Sequence, residues 1–500
     1  MTGGDASTSR SRGFAFGPLP PVSAAYPVGD HDKLLKAVLL EDEKAALALA
    51  WEWLDANDID VVSFREHRLL IALLARFGKA LEKHPYYPRM AGLQRMLWTR
   101  TLMHLRDARP ALSAIAESGV PILLIKGAAR LADGGTGKSG RVAHDLDIVV
   151  HPDDAPRAFA ILDAHGWTSS SGRSNARIAR QLGAFRALNM YKGRFGDIDL
   201  HLYPFHPHQG GEEDDRRLWS EALQGDLDGI PVRLPPPEQR IALAVAHGGL
   251  DAHNHSDWLC DIAAIFRAGP VAADRLEEIL AARGIEPAAA IALHYLADEC
   301  GVAMDRAMLD RITRRAAANP LRYCASFLQI RPRDREGRIG AALRGLVKYV
   351  RIRASKRALP AIPAGTRMEV RAHPHLKPAA NAQSVLSKST DISKLNGRLT
   401  LKARIAIIPE RSRPFDFELL AGDAFISHAS WRSRFKLPTA LSIECAFDKP
   451  DGADRLTLEA RPRRSERVIS TEAEKRRYGA VPYRVLDWSV EEAGAGPTSA

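Results

Sequence analysis

Apolar residues recur at three- and four-residue steps through residues 32–116: Leu34, Leu35, Val38 and Leu39, then Ala46, Leu47, Ala50, Trp51 and Leu54. That period puts them on one face of each of a series of amphipathic helices. Further runs of this kind cover residues 69–81 and 90–115. The period then changes. Val120-Pro121-Ile122-Leu123-Leu124-Ile125 is a short continuous apolar run, which suits a strand buried on both faces. Lys126-Gly127 ends it. A short helix is expected over 128–132, then a Gly-rich loop to Gly140, and a second strand over 141–150. Residues 153–166 predict a helix stopped by Gly166. Residues 185–191 and 195–203 predict a hairpin through Lys192-Gly193-Arg194.

Helical spacing returns after Pro235-Pro236-Pro237 and is clearest over 278–296. Beyond Arg371 the pattern alternates instead: 399–407, 415–420, 424–428, 440–447 and 455–460 predict strands. The expected fold class is therefore α+β and multidomain. We divide the chain into a tail over 1–30, an N-terminal helical region over 31–117 and an α/β core over 118–205. A loop over 206–237, a helical region over 238–320 and a basic helix and linker over 321–374 follow. A β-rich, sandwich-like accessory domain over 375–490 and a tail over 491–500 complete the division.

Composition is that of a globular protein, 45% hydrophobic and 26% charged among 500 residues. No apolar run approaches the length of a membrane-spanning helix. The first twelve residues lack the apolar run of a secretory signal. The four cysteines are scattered without a CxxC pair, so we expect reduced thiols and a cytoplasmic protein. Residues 321–371 hold thirteen Lys and Arg against three acids, nearly the whole net charge of +11. Within them, Ile339, Leu343, Leu346, Val347 and Val350 share one helical face. Such a helix suits an anionic partner, either the inner membrane surface or RNA.

The candidate chemistry lies in the α/β core. In His144-Asp145-Leu146-Asp147-Ile148-Val149-Val150, strand alternation points Asp145 and Asp147 one way and Leu146, Ile148 and Val150 the other, into a core. Asp197-Ile198-Asp199-Leu200-His201 offers a third carboxylate from a neighbouring strand, Asp199 or Asp197. An all-oxygen set of this kind suits Mg²⁺. A pair of such ions about 3.5–4 Å apart clamps the attacking and leaving oxygens of a phosphoryl or nucleotidyl transfer. His201 reads better as a supporting histidine than as a ligand, because imidazole is softer than these ions prefer.

Together, Ile122-Leu123-Leu124-Ile125-Lys126-Gly127, Arg141 with Asp145-Leu146-Asp147-Ile148-Val149-Val150, and Asp199-Leu200-His201 resemble the bacterial uncharacterised nucleotidyltransferase family. Ala246-His247 and Trp258-Leu259-Cys260-Asp261 resemble its helical continuation. The resemblance covers about residues 35–350. It implies a DNA polymerase beta-type nucleotidyltransferase α/β core flanked by helical bundles. By the same resemblance, Asp145 and Asp147 bind two Mg²⁺ ions, with Mn²⁺ as a substitute, and Asp199 completes the second site and accepts the proton of the incoming hydroxyl. Lys126, Gly127 and Arg141 then contact the nucleotide. The implied reaction moves a nucleoside monophosphate from an NTP, ATP by preference, to a hydroxyl acceptor and releases pyrophosphate. Two departures from the family pattern stand out: the 18-residue spacing from Gly127 to Asp145, and His144 where a smaller residue is usual.

Other motifs carry less. Gly134-Gly135-Thr136-Gly137-Lys138-Ser139 lacks the first glycine, the strand and the helix of a P-loop. His247, Asp251, His253, His255 and Asp257 lack a zinc-binding spacing and read as a polar helix end, in which His247, with Asp261, braces the catalytic unit. The competing reading of the whole chain is a catalytically inactive scaffold that recruits a glycan, RNA or membrane partner. Metal-dependent phosphoester hydrolysis would use the same carboxylates.

Overall fold

Seven strands form a mixed sheet at the centre of the chain. They are β1 (Leu123–Leu124), β2 (Leu146–Val149), β3 (Thr168–Ser169), β4 (Ala187–Lys192), β5 (Gly196–His201), β6 (Leu223–Leu227) and β7 (Ile230–Leu234), in the order β3-β4-β5-β2-β1-β7-β6. β2 runs parallel to β5 and antiparallel to β1. This is a computed structural model, and it describes residues 18–132, 140, 143, 145–251, 256–333, 336–362, 365–373, 384–407, 414–432, 439–462 and 483–492. The expectations for Arg141, His144, His253, His255 and the 134–139 loop lie outside the described residues.

The two faces of this sheet serve two cores. Leu146, Ile148 and Val150 of β2 and its end, with Ile198 and Leu200 of β5, are fully buried as alternation requires. They pack on Ala108, Ala111, Leu112 and Ile115 of helix Tyr87–Glu117 and on Phe159 and Leu162 of helix Ala155–Ala164. The other face gives Leu123, Ile125 and Val149 to a larger core. That core joins helices from both ends of the sheet in sequence: Gly29–Leu39, Glu43–Ala56 and Phe64–Leu81 with Pro237–Ala244, Asp257–Ala268, Ala273–Arg283 and Glu286–His294. The carboxylates of β2 and β5 lie on this second face, so they are walled by helices.

Some expectations need correction. The second strand begins at Leu146 rather than at residue 141, so Asp145 sits in a bend just before it. The stretch 206–237 is not a loop. It contains helix Glu212–Glu221 and the β6–β7 hairpin, which extends the sheet beyond β1. Its turn, Asp228-Gly229, has φ of +56° and +87°. That is the backbone of a tight two-residue hairpin, and Asp-Gly between apolar residues is its strongest sequence signal.

Beyond helix Arg338–Ala358 the chain forms two antiparallel sheets. Their strands are β8 (Met368–His373), β9 (Ser384–Val385), β10 (Ser387–Asp391), β11 (Arg398–Ile407), β12 (Pro414–Ala421), β13 (Ala424–Arg432), β14 (Thr439–Asp448), β15 (Arg455–Arg461) and β16 (Tyr483–Glu492). One sheet runs β10-β15-β12-β13, the other β8-β14-β11-β16-β9. Leu399, Leu401 and Ile405 of β11 meet Phe417 and Leu419 of β12 and Leu456 and Leu458 of β15 in one core. Alternation exposed five of these strands in the sequence and missed β8, β9, β10 and β16.

Helix Asn175–Arg180 of the central unit meets the outer face of β12. Arg177 Nη1 lies 2.9 Å from both Asp416 Oδ2 and Glu418 Oε1, and all three side chains are buried.

Candidate active site

The parallel pairing of β2 with β5 sets Asp147 directly opposite Asp199. Opposed residues on adjacent strands share a face. His201, two residues on, shares it too. Ligand atoms of Asp147, Asp199 and His201 all lie within 4.8 Å of one another, and this is the one such metal-type group among the described residues. Asp197 is not part of it. Asp145, Asp147, Lys126 and Gly127 line a cleft of about 300 Å³ water-accessible volume, closed on its other side by Arg240, His247, Trp258 and Asp261.

Lys126 ends the β1 approach with φ +52°, a left-handed turn that few non-glycine residues adopt. The turn brings Nζ to 2.5 Å from Asp147 Oδ1. His201 donates from Nε2 to the same oxygen at 3.0 Å. Both contacts fall on Oδ1, and neither uses Oδ2. Asn189 lies opposite Asp199 across the β4–β5 hairpin, and its amide donates to Asp199 Oδ1. Nothing in the sequence reading picked out Asn189: a turn at Lys192-Gly193-Arg194 would set residue 189 opposite residue 197, whereas the observed turn is Gly193-Arg194-Phe195 and sets Asn189 opposite Asp199.

Charge in the site is unevenly shared. Burial raises the Asp147 carboxyl, but Lys126 and the His201 bond overcome that and hold it well below the carboxylate range. Burial and repulsion from Asp147 and Asp145 push Asp199 up to about 7. Burial outweighs the Asp147 bond at His201 and lowers it to about 3, so the ring is neutral. Burial works against the charge of Lys126, yet Asp147, Asp199 and Asp145 raise its pKa. The cluster therefore holds more negative charge than its one lysine neutralises. Carboxylate oxygens from adjacent strands, repelling one another beside a cleft, fit a hard divalent cation. His201 is the softer member, which Mn²⁺ tolerates better than Mg²⁺ does.

A second layer supports this set. Arg130 of helix Lys126–Ala132 reaches Asp261 at 3.3 Å, and Arg68 reaches Asp257 at 3.1 Å, tying the cleft walls together. The His247 ring lies edge-on to His201, centroids 5.8 Å apart, and its Nε2 donates to the Pro204 carbonyl at 2.7 Å. Asp251 faces His247 at 3.5 Å and accepts from His206 at 2.9 Å. The polar helix end thus braces the site instead of forming a separate metal centre among the described residues.

Trp258 closes the cleft because Gly248 leaves room for it. A Cβ on residue 248 would fall 2.1 Å from Trp258 Cγ, at the stiff root of that side chain. Gly248→Ala is expected to displace the indole, cost about 1–3 kcal/mol in chemical denaturation and weaken ligand binding in the cleft. Unchanged stability would mean that the helix carrying Gly248 shifts freely.

Residues 63–300 match the family model described as an uncharacterised nucleotidyltransferase. The matched span runs from the start of helix Phe64–Leu81 past helix Glu286–His294 and contains every carboxylate of the site. No curated protein and no solved structure gives a significant match.

Proposed function

From that match and the carboxylate geometry, we propose that the chain is a metal-dependent nucleotidyltransferase with a polymerase beta-type core. It takes an NTP, ATP by preference, and transfers the nucleoside monophosphate to a hydroxyl acceptor with release of pyrophosphate. The observation that carries this reading is the in-register Asp147–Asp199 pair, which shares a face with His201 and whose Asp147 lines the cleft.

Asp145, Asp147 and Asp199 would hold Mg²⁺, with Asp147 using Oδ2. The bound cations supply charge neutralisation for the phosphates and activation of the attacking hydroxyl. The protein's own groups do the rest. Lys126, held at the cleft edge, exchanges Asp147 for a phosphate oxygen when nucleotide arrives. Gly127 lines the same wall, where a backbone without a side chain leaves space for phosphate. Asp199, held near neutrality by its neighbours, takes the proton of the incoming hydroxyl. His201 and Asn189 fix the rotamers of Asp147 and Asp199. Arg141 is a further phosphate contact in this reading. Most of the rate enhancement comes from positioning and electrostatics.

Purified protein, labelled NTPs and Mg²⁺ or Mn²⁺, assayed against pooled hydroxyl acceptors and against the protein itself, test the proposal. Transfer of label with pyrophosphate release is expected. Folded protein that neither binds nor transfers from any NTP would overturn it, and release of free monophosphate alone would favour the hydrolase.

Lys126→Met separates two roles of that lysine. Metal affinity without nucleotide is expected to rise, because the carboxylates lose the positive charge that partly neutralises them. Nucleotide affinity is expected to fall about tenfold or more, since a charged contact to phosphate is lost. Titration calorimetry with Mn²⁺ and with a non-hydrolysable NTP reads both. A fall in both affinities together would make Lys126 a structural residue.

A further inference from the structure

Helix Arg338–Ala358 is mounted with its polar side inward. Arg344 pairs with Glu336, and its carbonyl accepts from Gln329 at 3.1 Å. Arg351 donates to the Leu250 carbonyl and lies 3.7 Å from Asp251. Ser355 bonds His206 at 3.2 Å. These contacts recur at spacings of seven and four residues, so they define one face. The opposite face is apolar and points away from the protein. Ile339, Leu343, Leu346 and Val350, at i, i+4, i+7 and i+11, are between 46% and 80% exposed, and Tyr349 and Ile352 flank them. Six of the fourteen large apolar residues exposed among the described residues fall on these 21.

A surface helix ordinarily turns such a stripe inward. Here the inward positions are occupied by arginines and a serine, so the outward stripe is not explained by packing on the described residues. A patch of this kind marks a partner. Arg338, Lys348, Arg353, Lys356 and Arg357 border and continue the stripe, and no acid occurs from residue 337 to 368. Arg353 bonds the Tyr349 hydroxyl at 2.6 Å, which holds its charge beside the apolar face.

We propose that this helix is a membrane-docking element that lays its aliphatic stripe into the interface of an anionic lipid bilayer, with its basic residues at the headgroups. Three properties select this occupant. RNA would reward the cations but not four exposed aliphatic residues, and stacking bases would find one aromatic ring. A second copy of the chain would bury the aliphatics but set five cations against five in a two-fold interface. A bilayer with acidic headgroups satisfies both sets at once. No described helix is long and apolar enough to cross a membrane, so this one lies in the surface plane. The inward contacts run to His206, Leu250 and Asp251, next to the His247 bracing the carboxylates. Docking therefore fixes the cleft relative to the bilayer. The inference rests on the helix alone and stands or falls apart from the nucleotidyltransferase reading.

The full chain should be sedimented with phosphatidylcholine vesicles, with and without phosphatidylglycerol. Binding to the anionic vesicles alone, weakened by salt, is expected. Leu343→Glu and Leu346→Glu change exposed positions and should leave circular dichroism and Mn²⁺ binding unchanged. Each should lower vesicle partition at least about tenfold, since one inserted side chain is lost and a repelled charge is gained. The proposal is overturned by absence of sedimentation with anionic vesicles, or by sedimentation insensitive to both variants. It is equally overturned by a solution dimer that Leu346→Glu dissociates, or by RNA binding, in either case without vesicle binding.

Discussion

Asp147→Asn is expected to lower metal-dependent transfer at least about a thousandfold while leaving the protein folded. Asp147 is 3% exposed and stands where three demands meet: the pairing with Asp199, the contact with Lys126 and the bond from His201. Asparagine keeps the shape and can still accept from both neighbours. What it loses is the charge that a divalent cation needs. Lys126 then lacks its partner, but its side chain is about a quarter exposed, so water compensates part of the loss. A destabilisation of about 1–3 kcal/mol is the expected structural cost, far below the effect on rate. Asp145→Asn lies in the bend before β2 and perturbs less of the structure, so it serves as the second variant. Metal titration, denaturation and the transfer assay, run on both, separate chemistry from folding. Transfer by Asp147→Asn within about tenfold of the native rate would remove the metal mechanism, because no remaining carboxylate set could replace it at that cost. A scaffold, by contrast, keeps partner binding in both variants.

The carboxylates were legible because aspartate is rare in strands and each stood between residues that had to be buried. Leu146 and Ile148 on one side and Ile198 and Leu200 on the other left only one direction for Asp147 and Asp199. Alternation does not reveal which strands are neighbours. The β2–β5 pairing that brings residues 147 and 199 together is a long-range fact, and it sets Asp199, not Asp197, opposite Asp147. The start of β2 was misplaced because alternation continues through Asp145 even where the backbone bends. The β6–β7 hairpin was missed because prolines around it suggested a loop. Pro231 is tolerated in β7 opposite Asp226, and the Asp228-Gly229 turn outweighed the composition. The contact of Arg68 with Asp257, and that of the His247 ring with His201, were beyond reach for another reason. Both depend on packing between segments far apart in sequence, which local periodicity does not encode. The basic helix shows the same limit: its apolar stripe was plain, but only the tertiary contacts of Arg344, Arg351 and Ser355 show that the stripe faces outward.

Arg177→Met is expected to lower stability by about 3–5 kcal/mol, seen as an earlier denaturation midpoint. Arg177 is buried on helix Asn175–Arg180 and is shared by Asp416 and Glu418 of β12, of which Glu418 is completely enclosed. Ion pairs of this burial gain little net energy when intact, because desolvating three charges costs nearly as much as their attraction returns. Removing the cation alone is different. Two carboxylates stay behind in a space that excludes water. The Ser174 amide at 3.2 Å from Glu418, the Ser430 hydroxyl at 2.7 Å from Asp416 and Arg461 Nε at 3.9 Å from Glu418 relieve only part of the penalty. This argument makes a second, opposite prediction. Adding Glu418→Leu to Arg177→Met should recover part of the loss, because the fully enclosed carboxylate is then gone and Asp416 keeps the Ser430 hydroxyl. Paired denaturation of the single and double variants reads the coupling. Equal losses in both, or no loss in Arg177→Met, would show that the C-terminal sheets do not hold the central unit through this contact. Neither variant touches the carboxylates of β2 and β5, so Mn²⁺ affinity below the unfolding transition should stay at the native value. A simultaneous fall in metal affinity would instead reveal that the β-rich unit supports the carboxylate face from behind.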